Sequence, residues 1–274
     1  MKKLFAVLIL LVISGTITAQ NENDSNKTSY KFREPKQNSF GRGEKLLFDI
    51  NYLGVNAGDA IMEVAPDFYL QNGRNCLRIK TTVKSKSTFW VYKLFSVYEC
   101  DFDAKGLFPW RFEQNKTEGK YREINETYFD QENHKAKTLE GAEKVQKGEY
   151  DIPEYVQDQL SAFYYSRTLD FTGAKENDIV INLQTFYKDK TYPLQVQFLG
   201  YETIDVNAGK FKCIKVKPIG GSGGLFGSSD DLIIWLTDDA VRMPVKVNVK
   251  IKVGSFNVEL KSYENVFPLN SKVD

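Results

Sequence analysis

Residues 244–260 read PVKVNVKIKVGSFNVEL, and Val245, Val247, Val249, Ile251 and Val253 alternate there with Lys246, Asn248, Lys250 and Lys252. A period of two places the apolar side chains on one face and the polar ones on the other, as in an antiparallel strand with one wet face. Gly254-Ser255 then fits a tight hairpin turn. The same alternation recurs along the chain. Leu46, Phe48, Ile50 and Tyr52 share a face, and Leu77, Ile79, Thr81 and Val83 alternate with Arg78, Lys80 and Lys84. Tyr98, Cys100 and Phe102 alternate with Glu99, Asp101 and Asp103, and further strands carry Ile179, Ile181 and Leu183, then Leu194, Val196 and Phe198. GVNAG (54–58) and the start of GLFPWRF (106–112) read as turns. The predicted fold is mainly β: a strongly curved antiparallel sheet or an open or closed β-barrel with one inserted α-helix. Curling or closure protects strand edges that would otherwise pair with other chains.

The helix is predicted within DIPEYVQDQLSAFYYSRTLDF (151–171). Pro153 suits a first turn and Asp151 can cap it. At 100° per residue, Val156, Leu160, Phe163 and Arg167 form the face expected to pack on the sheet. Asp158, Ser161, Ala162 and Tyr165 fall near the opposite face. Arg167 is expected to bond the last helix carbonyls or a carboxylate from the sheet, and Asp158 and Arg167 are read as structural polar residues.

MKK followed by LFAVLILLVISGTI and a small residue at Ala19 reads as a cleavable secretory signal over 1–19. The expected location is the periplasm, with secretion or the inner face of the outer membrane as variants. No other stretch has the length of a membrane span. Residues 20–40 are polar and aperiodic and read as a disordered lead segment, followed by a single β-rich domain over 41–270. Without Lys2 and Lys3, the 37 basic residues fall to 35, against 36 acidic ones. That balance argues against nucleic acid or an anionic membrane as the main partner, since both favour a basic surface.

Three cysteines, Cys76, Cys100 and Cys213, allow at most one internal disulfide, with Cys76–Cys100 the first choice and three half-buried free thiols the alternative. No cofactor and no metal site is expected. The one histidine, His134, lies in a polar turn, so a triad from Ser161 would need it carried to the helix. Glu99, Asp101 and Asp103 read as edge or solvent-facing carboxylates. The pairs Asp230-Asp231 and Asp238-Asp239 read as turn and strand-end residues. GGSGGLFGSSDD (220–231) lacks the Gly-Lys-Ser/Thr of a phosphate loop and reads as a hairpin tip carrying Leu225 and Phe226.

GEKLLFDINYLGVNAGDAIMEV, GLFPWRF, VQDQLSAFYYSRTLD, YPLQVQFLGYETIDVNAGKFKCIKVKP and IIWLTDDAVRMPVKVNVKIKVGSFNVELKSY occur in this order. The set resembles the bacterial family called domain of unknown function 3108, over nearly all of residues 41–267. The resemblance implies an exported protein with one β-rich domain and transfers no catalytic residue. The C-terminal arrangement of Trp235, Pro244-Val245 and Gly254 also resembles the lipoprotein carriers of the periplasm, curved sheets with an apolar cavity for acyl chains. This chain departs from them in having one strong helix.

The expected function is therefore a non-enzymatic binding or carrier protein for a hydrophobic small molecule or lipid, with Tyr52, Phe163, Tyr164 and Trp235 lining the site. The alternative is a structural module of cell-envelope assembly with a filled core, which binds an envelope protein through Leu225 and Phe226. A third reading, a hydrolase, needs Asp158, Ser161 and Arg167 to converge in an open cleft.

Overall fold

Alternating sequence becomes strand over most of its expected length, and the strands join into one antiparallel sheet. The last run stops at Lys250, leaving Ile251 and Val253 outside it, and the turn expected over 54–58 is confined to Leu53-Gly54, with strand resuming at Val55. The structure is a computed structural model and describes residues 30–87, 93–221, 224 and 232–273; the signal segment and the tip residues Leu225 and Phe226 lie outside the described residues. The chain divides into two units, Met1–Lys31 and Phe32–Asp274. Of the first, only Tyr30 and Lys31 are described, and neither is helical or in a strand.

The second unit begins with the meander β1 (Lys45–Tyr52), β2 (Val55–Gln71), β3 (Arg74–Ser85), β4 (Leu94–Asp103), β5 (Pro109–Glu118), β6 (Tyr121–Asp130), β7 (Lys135–Glu140) and β8 (Val145–Asp151). The helix α1 (Gln159–Ser166) follows. A second meander runs through β9 (Ile179–Tyr187), β10 (Lys190–Val206), β11 (Gly209–Gly220), β12 (Leu232–Thr237), β13 (Pro244–Lys250) and β14 (Ser255–Glu264), and the short β15 (Lys272–Val273) pairs with β11. The two meanders are stitched together by β1 and β14, with Lys45 opposite Glu264 and Tyr52 opposite Phe256. The sheet edges are therefore β8 and β9, in the middle of the sequence.

These edges do not pair with each other, so hydrogen bonds do not close the sheet. Side chains bring them face to face. The rings of Tyr150 and Phe186 lie 5.8 Å apart, and Lys147 Nζ is 2.8 Å from an Asp189 carboxylate oxygen. The chain leaving β8 fills part of the gap. Gln157 donates its N–H to the Gln184 carbonyl at 2.9 Å and accepts from the Phe186 N–H at 2.8 Å, a short parallel bridge onto β9. The buried Gln131 and Gln157 carboxamides hold this segment from beneath, donating to the carbonyls of Val156 and Leu107.

That bridge corrects the expected helix. Residues 152–158 are not helical: Glu154 and Tyr155 make a turn, Gln157 alone bridges to β9, Asp151 ends a strand, and the cap is Asp158. The helix is eight residues long, and Ser161, Ala162 and Tyr164 are buried together with Leu160, so both of its expected faces are covered.

The lead segment is corrected in part. Residues 30–40 form no helix or strand, yet Phe32 packs edge-on to Trp110 at 5.6 Å and Phe40 is buried against Tyr164 at 4.9 Å. Arg33 donates to the carbonyls of Gly106 and Leu107, both at 2.8 Å. Aromatic residues dispersed in a polar stretch carry no period, so only the partners on the folded domain reveal their role.

The cysteines are free and buried. Cys76 lies opposite Asp103 and Cys100 opposite Ile79. An offset of three along adjacent strands turns the two side chains to opposite faces of the sheet, which rules out the Cys76–Cys100 bridge.

Asp101 and Asp103 are fully buried, contrary to the solvent-facing reading, while Glu99 remains half-buried. Asp101 takes a fork of two bonds from Arg78, at 2.7 and 3.0 Å. Asp103 takes a fork from Arg74, and Glu126, also buried, takes bonds from Arg111 and Tyr128. Alternation marked these residues as off the core; it could not show that arginines from neighbouring strands would cover them.

Candidate functional site

The helix is placed by its two ends. At its start, Asp158 accepts the amide N–H groups of Leu160 and Ser161 at 2.7 and 3.0 Å, and the Asp158 N–H donates to the Ser161 hydroxyl at 2.8 Å. This is a reciprocal capping box. The other Asp158 oxygen accepts the Cys100 thiol at 3.0 Å, which ties the cap to β4. At its end, Arg167 forks onto Glu44 at 2.6 and 2.8 Å and donates to the carbonyl of Ser39 at 2.9 Å. Both members of this pair are out of solvent. The carboxylate foreseen for Arg167 is thus Glu44, immediately before β1.

Asp158, Ser161 and Arg167 do not meet in an open cleft. The Ser161 hydroxyl is used in the cap, and the Asp158 carboxylate is closed in on every side. His134 sits in the turn between β6 and β7 with a left-handed φ of 54°. Burial pushes the Cys76 and Cys213 thiols up to about 12 and Cys100 well above the ordinary thiol value, so none is a ready nucleophile.

Burial also raises the Asp158 pKa, against the opposing pull of the Cys100 thiol and the helix amides. The sign follows from linkage: with a folded value above the unfolded one, stability falls as pH rises from the ordinary aspartate range toward the folded value. Asp158→Asn keeps a good cap and removes the charge. Urea titrations across that window should show a flatter pH dependence for Asp158→Asn than for the parent, and a loss of about 1–2 kcal/mol for Asp158→Ala.

With its ends fixed, α1 faces β10, β11 and β12 through Ala162 and Ser166, two small side chains four residues apart on one face. The opposite wall is aliphatic, built from Val196, Val216, Ile234 and Leu236. Small residues opposite branched ones leave an apolar crevice of about 30 Å³, room for about one or two waters. Phe163, half-buried, stands at its side. Ser166 is the one polar side chain of the lining, and its hydroxyl donates to the Ala162 carbonyl at 2.7 Å.

Of the four residues expected to line a ligand site, Phe163 is at the crevice. Tyr164 is buried elsewhere, between Phe40 and Arg167. Tyr52 stacks on Phe256 at 4.8 Å, at the far tip of β1, with its hydroxyl donating to the Val253 carbonyl. Trp235 alternates with the crevice residues Ile234 and Leu236 and therefore points to the other face. There its indole N–H donates to Glu202 at 3.0 Å, beneath Lys215 and Lys246. A strand pattern identifies which residues share a face; it does not say at which height along the strand a gap opens. Asp239 serves as a turn residue, accepting Val241 and Arg242 N–H groups and those of Asn270 and Ser271.

A second depression, polar and about 380 Å³, lies over β5–β8 beside the β2–β3 turn, lined by Asn72, Trp110, Tyr128, Lys137 and Glu149 among others. Two of its charged groups are already engaged: Asp130 accepts from Asn133, and Lys135 bonds Asp151 at 2.6 Å.

The family described as "Protein of unknown function (DUF3108)" matches residues 47–261. No curated protein matches the chain. Among solved structures, a β-barrel-like protein of domain of unknown function DUF1849 from Brucella abortus superposes with a TM-score of 0.54 at 8% identity, covering 83% of this chain and 98% of that one. A protein described as exported, with a YmcC-like fold, from Bacteroides fragilis matches at a TM-score of 0.34 and 11% identity over 85% of this chain and 99% of that one. A protein described as a lipoprotein from Parabacteroides distasonis gives 0.32 and 11% over 85% and 97%. The first shows a shared β-barrel-like fold.

Proposed function

Since the chain belongs to the DUF3108 family, whose description assigns no activity, we propose from the crevice itself that the protein is a non-enzymatic binding or carrier protein for a slender hydrophobic ligand, such as a lipid acyl chain, in the periplasm. The supporting observation is the apolar gap between α1 and β10–β12, bounded by buried core residues such as Val196, Val216 and Leu236. Close-packed cores leave few such gaps. Its lining offers no charged group, and its single hydroxyl is satisfied by its own helix, so the chemistry it favours is burial of hydrocarbon. The gap is narrower than an alkyl chain needs. Entry therefore requires rotation of Phe163, the one large lining residue of the helix that is not fully buried.

The test is extraction of the purified protein into organic solvent followed by mass spectrometry, with displacement of a fluorescent fatty acid as the titratable readout. Ser166→Trp overfills the crevice from a half-buried position; it should abolish probe binding at an overpacking cost of about 1–3 kcal/mol, so its fold is checked by an unchanged far-UV circular dichroism spectrum. If no hydrophobe co-purifies and parent and variant both ignore the probe, the reading fails. The narrow gap then favours the second one: a filled β-domain that serves envelope assembly through its surface.

A further inference from the structure

The hairpin between β1 and β2 turns on two residues, Leu53 and Gly54, with φ of 49° and 80°. Both central positions of such a turn are left-handed, and Asn-Gly is the sequence that suits it. Leucine is disfavoured in that conformation and gains no burial in exchange, since Leu53 is 66% exposed. A strained backbone position given to an exposed apolar residue calls for a function.

Leu53 is not alone. The β13–β14 hairpin lies directly beside it, because β1 pairs with β14 and the Tyr52 hydroxyl bonds the Val253 carbonyl. Leu53 reaches Gly254, where a Cβ would come within 2.8 Å of its side chain. Val55, Ile251 and Val253 are also exposed, so two neighbouring tips present four aliphatic side chains to water above the stacked rings of Tyr52 and Phe256. The end of β3 adjoins on the other flank, with the Lys86 N–H donating to the Ala57 carbonyl at 2.8 Å. Around these tips stand lysines at 84, 86, 250 and 252; residues 51–57 and 250–256 carry no acidic residue, and Asp59, opposite Lys84 on β2, is the acid next to the tips on that flank. Lys86 pairs with Asp59, while Lys84, Lys250 and Lys252 are exposed with no ion-pair partner among the described residues.

We propose that these tips form a membrane-docking surface, in which Leu53, Val55, Ile251 and Val253 insert into the outer part of an anionic lipid leaflet while Lys84, Lys250 and Lys252 meet its headgroups. Aliphatic points, a tyrosine at the boundary and a cationic collar are the composition of an interfacial anchor. The collar's charge selects an anionic bilayer over a neutral one, and over an acidic residue of a second copy, which these tips do not carry. No helix among the described residues is long and apolar enough to cross a membrane, and this attachment needs none. The inference does not depend on the crevice.

The experiment uses the whole chain with the same N-terminus in every variant, so that any contribution of residues 4–17 is common to all. A cysteine placed at Val253 is labelled with an environment-sensitive dye, and one at the exposed Tyr201 serves as the reference; the native thiols are buried. Vesicles of phosphatidylcholine, with and without phosphatidylglycerol, are the probe. The dye at 253 should shift to the blue and be quenched by spin-labelled acyl chains on vesicles containing phosphatidylglycerol, while the dye at 201 stays unchanged. Leu53→Asn should weaken vesicle partitioning about tenfold while leaving the melting temperature equal or higher, since it relieves the turn. Lys250→Gln and Lys252→Gln should each cost about fivefold on anionic vesicles and little on neutral ones. Binding that leaves the dye at 253 in water overturns the proposal. So does equal binding by Leu53→Asn, or a dimer in solution that Leu53→Asn dissociates without any vesicle binding.

Discussion

Arg167→Met is expected to lower the stability of the folded domain by about 3–5 kcal/mol, measured by urea titration with an unchanged m-value. The guanidinium has four bonds to three partners: two to the Glu44 carboxylate and one each to the carbonyls of Ser39 and Val241. It also lies 5.3 Å from the Phe40 ring and 5.1 Å from that of Tyr164. Removing it strands a carboxylate with no exposure, and that uncompensated charge, rather than the lost attraction, accounts for most of the cost. Glu44→Leu alone strands the cation in the same way. The double variant, Arg167→Met with Glu44→Leu, leaves no buried charge and should be more stable than either single one. If the double variant loses the sum of the two single effects, the pair is not the unit described. The four elements joined at this point are the lead segment, the start of β1, the end of α1 and the turn before β13, so the crevice wall should loosen with them.

Asp103→Ala is expected to cost about 3–5 kcal/mol. Asp103 accepts five bonds: two from Arg74 at 2.5 and 3.0 Å, the Lys105 and Gly106 N–H groups at 3.1 and 2.6 Å, and the Trp110 indole at 3.0 Å. The alanine variant leaves a cation, two turn amides and a buried indole without their acceptor. The charge is favoured on balance. Burial opposes ionisation, and Arg74, the Gly106 amide and Trp110 overcome it, so the folded pKa lies below the ordinary aspartate value. For a depressed carboxylate, the stabilisation is complete above the unfolded pKa and is lost as pH falls through the folded one. The parent should therefore lose stability on acidification below about pH 4, and Asp103→Asn should lose less over the same range. Equal acid sensitivity of parent and Asp103→Asn would contradict this assignment.

The strands were legible because they carry period two, and the family resemblance is shown by the match over 47–261. The helix was legible only as a region. Its true cap, Asp158, sits inside an apparently continuous helical pattern, and the signal for it is the Asp-x-x-Ser spacing from 158 to 161 rather than the Asp-x-Pro at 151–153. Gln157 decides the matter by pairing with β9, and long-range backbone pairing leaves no local trace. Glu44 was hidden in the polar start of β1. Cys100 read as one more inward strand residue, and nothing in its neighbours points to Asp158. Phe163 was expected on the helix face that packs on the sheet, and it stands beside the crevice there; the crevice itself depends on Ala162 and Ser166, and small residues are silent in a hydrophobic pattern.

The pairing of β1 with β14 has a consequence for how the molecule is made. The first strand of the domain waits, with one flank bare, for the last long one, so the sheet is incomplete until nearly the whole chain is available. Contacts between such distant segments form slowly. Until β14 arrives that bare flank of β1 is an open edge, so a chain truncated before Ser255 should pair it with other chains and aggregate.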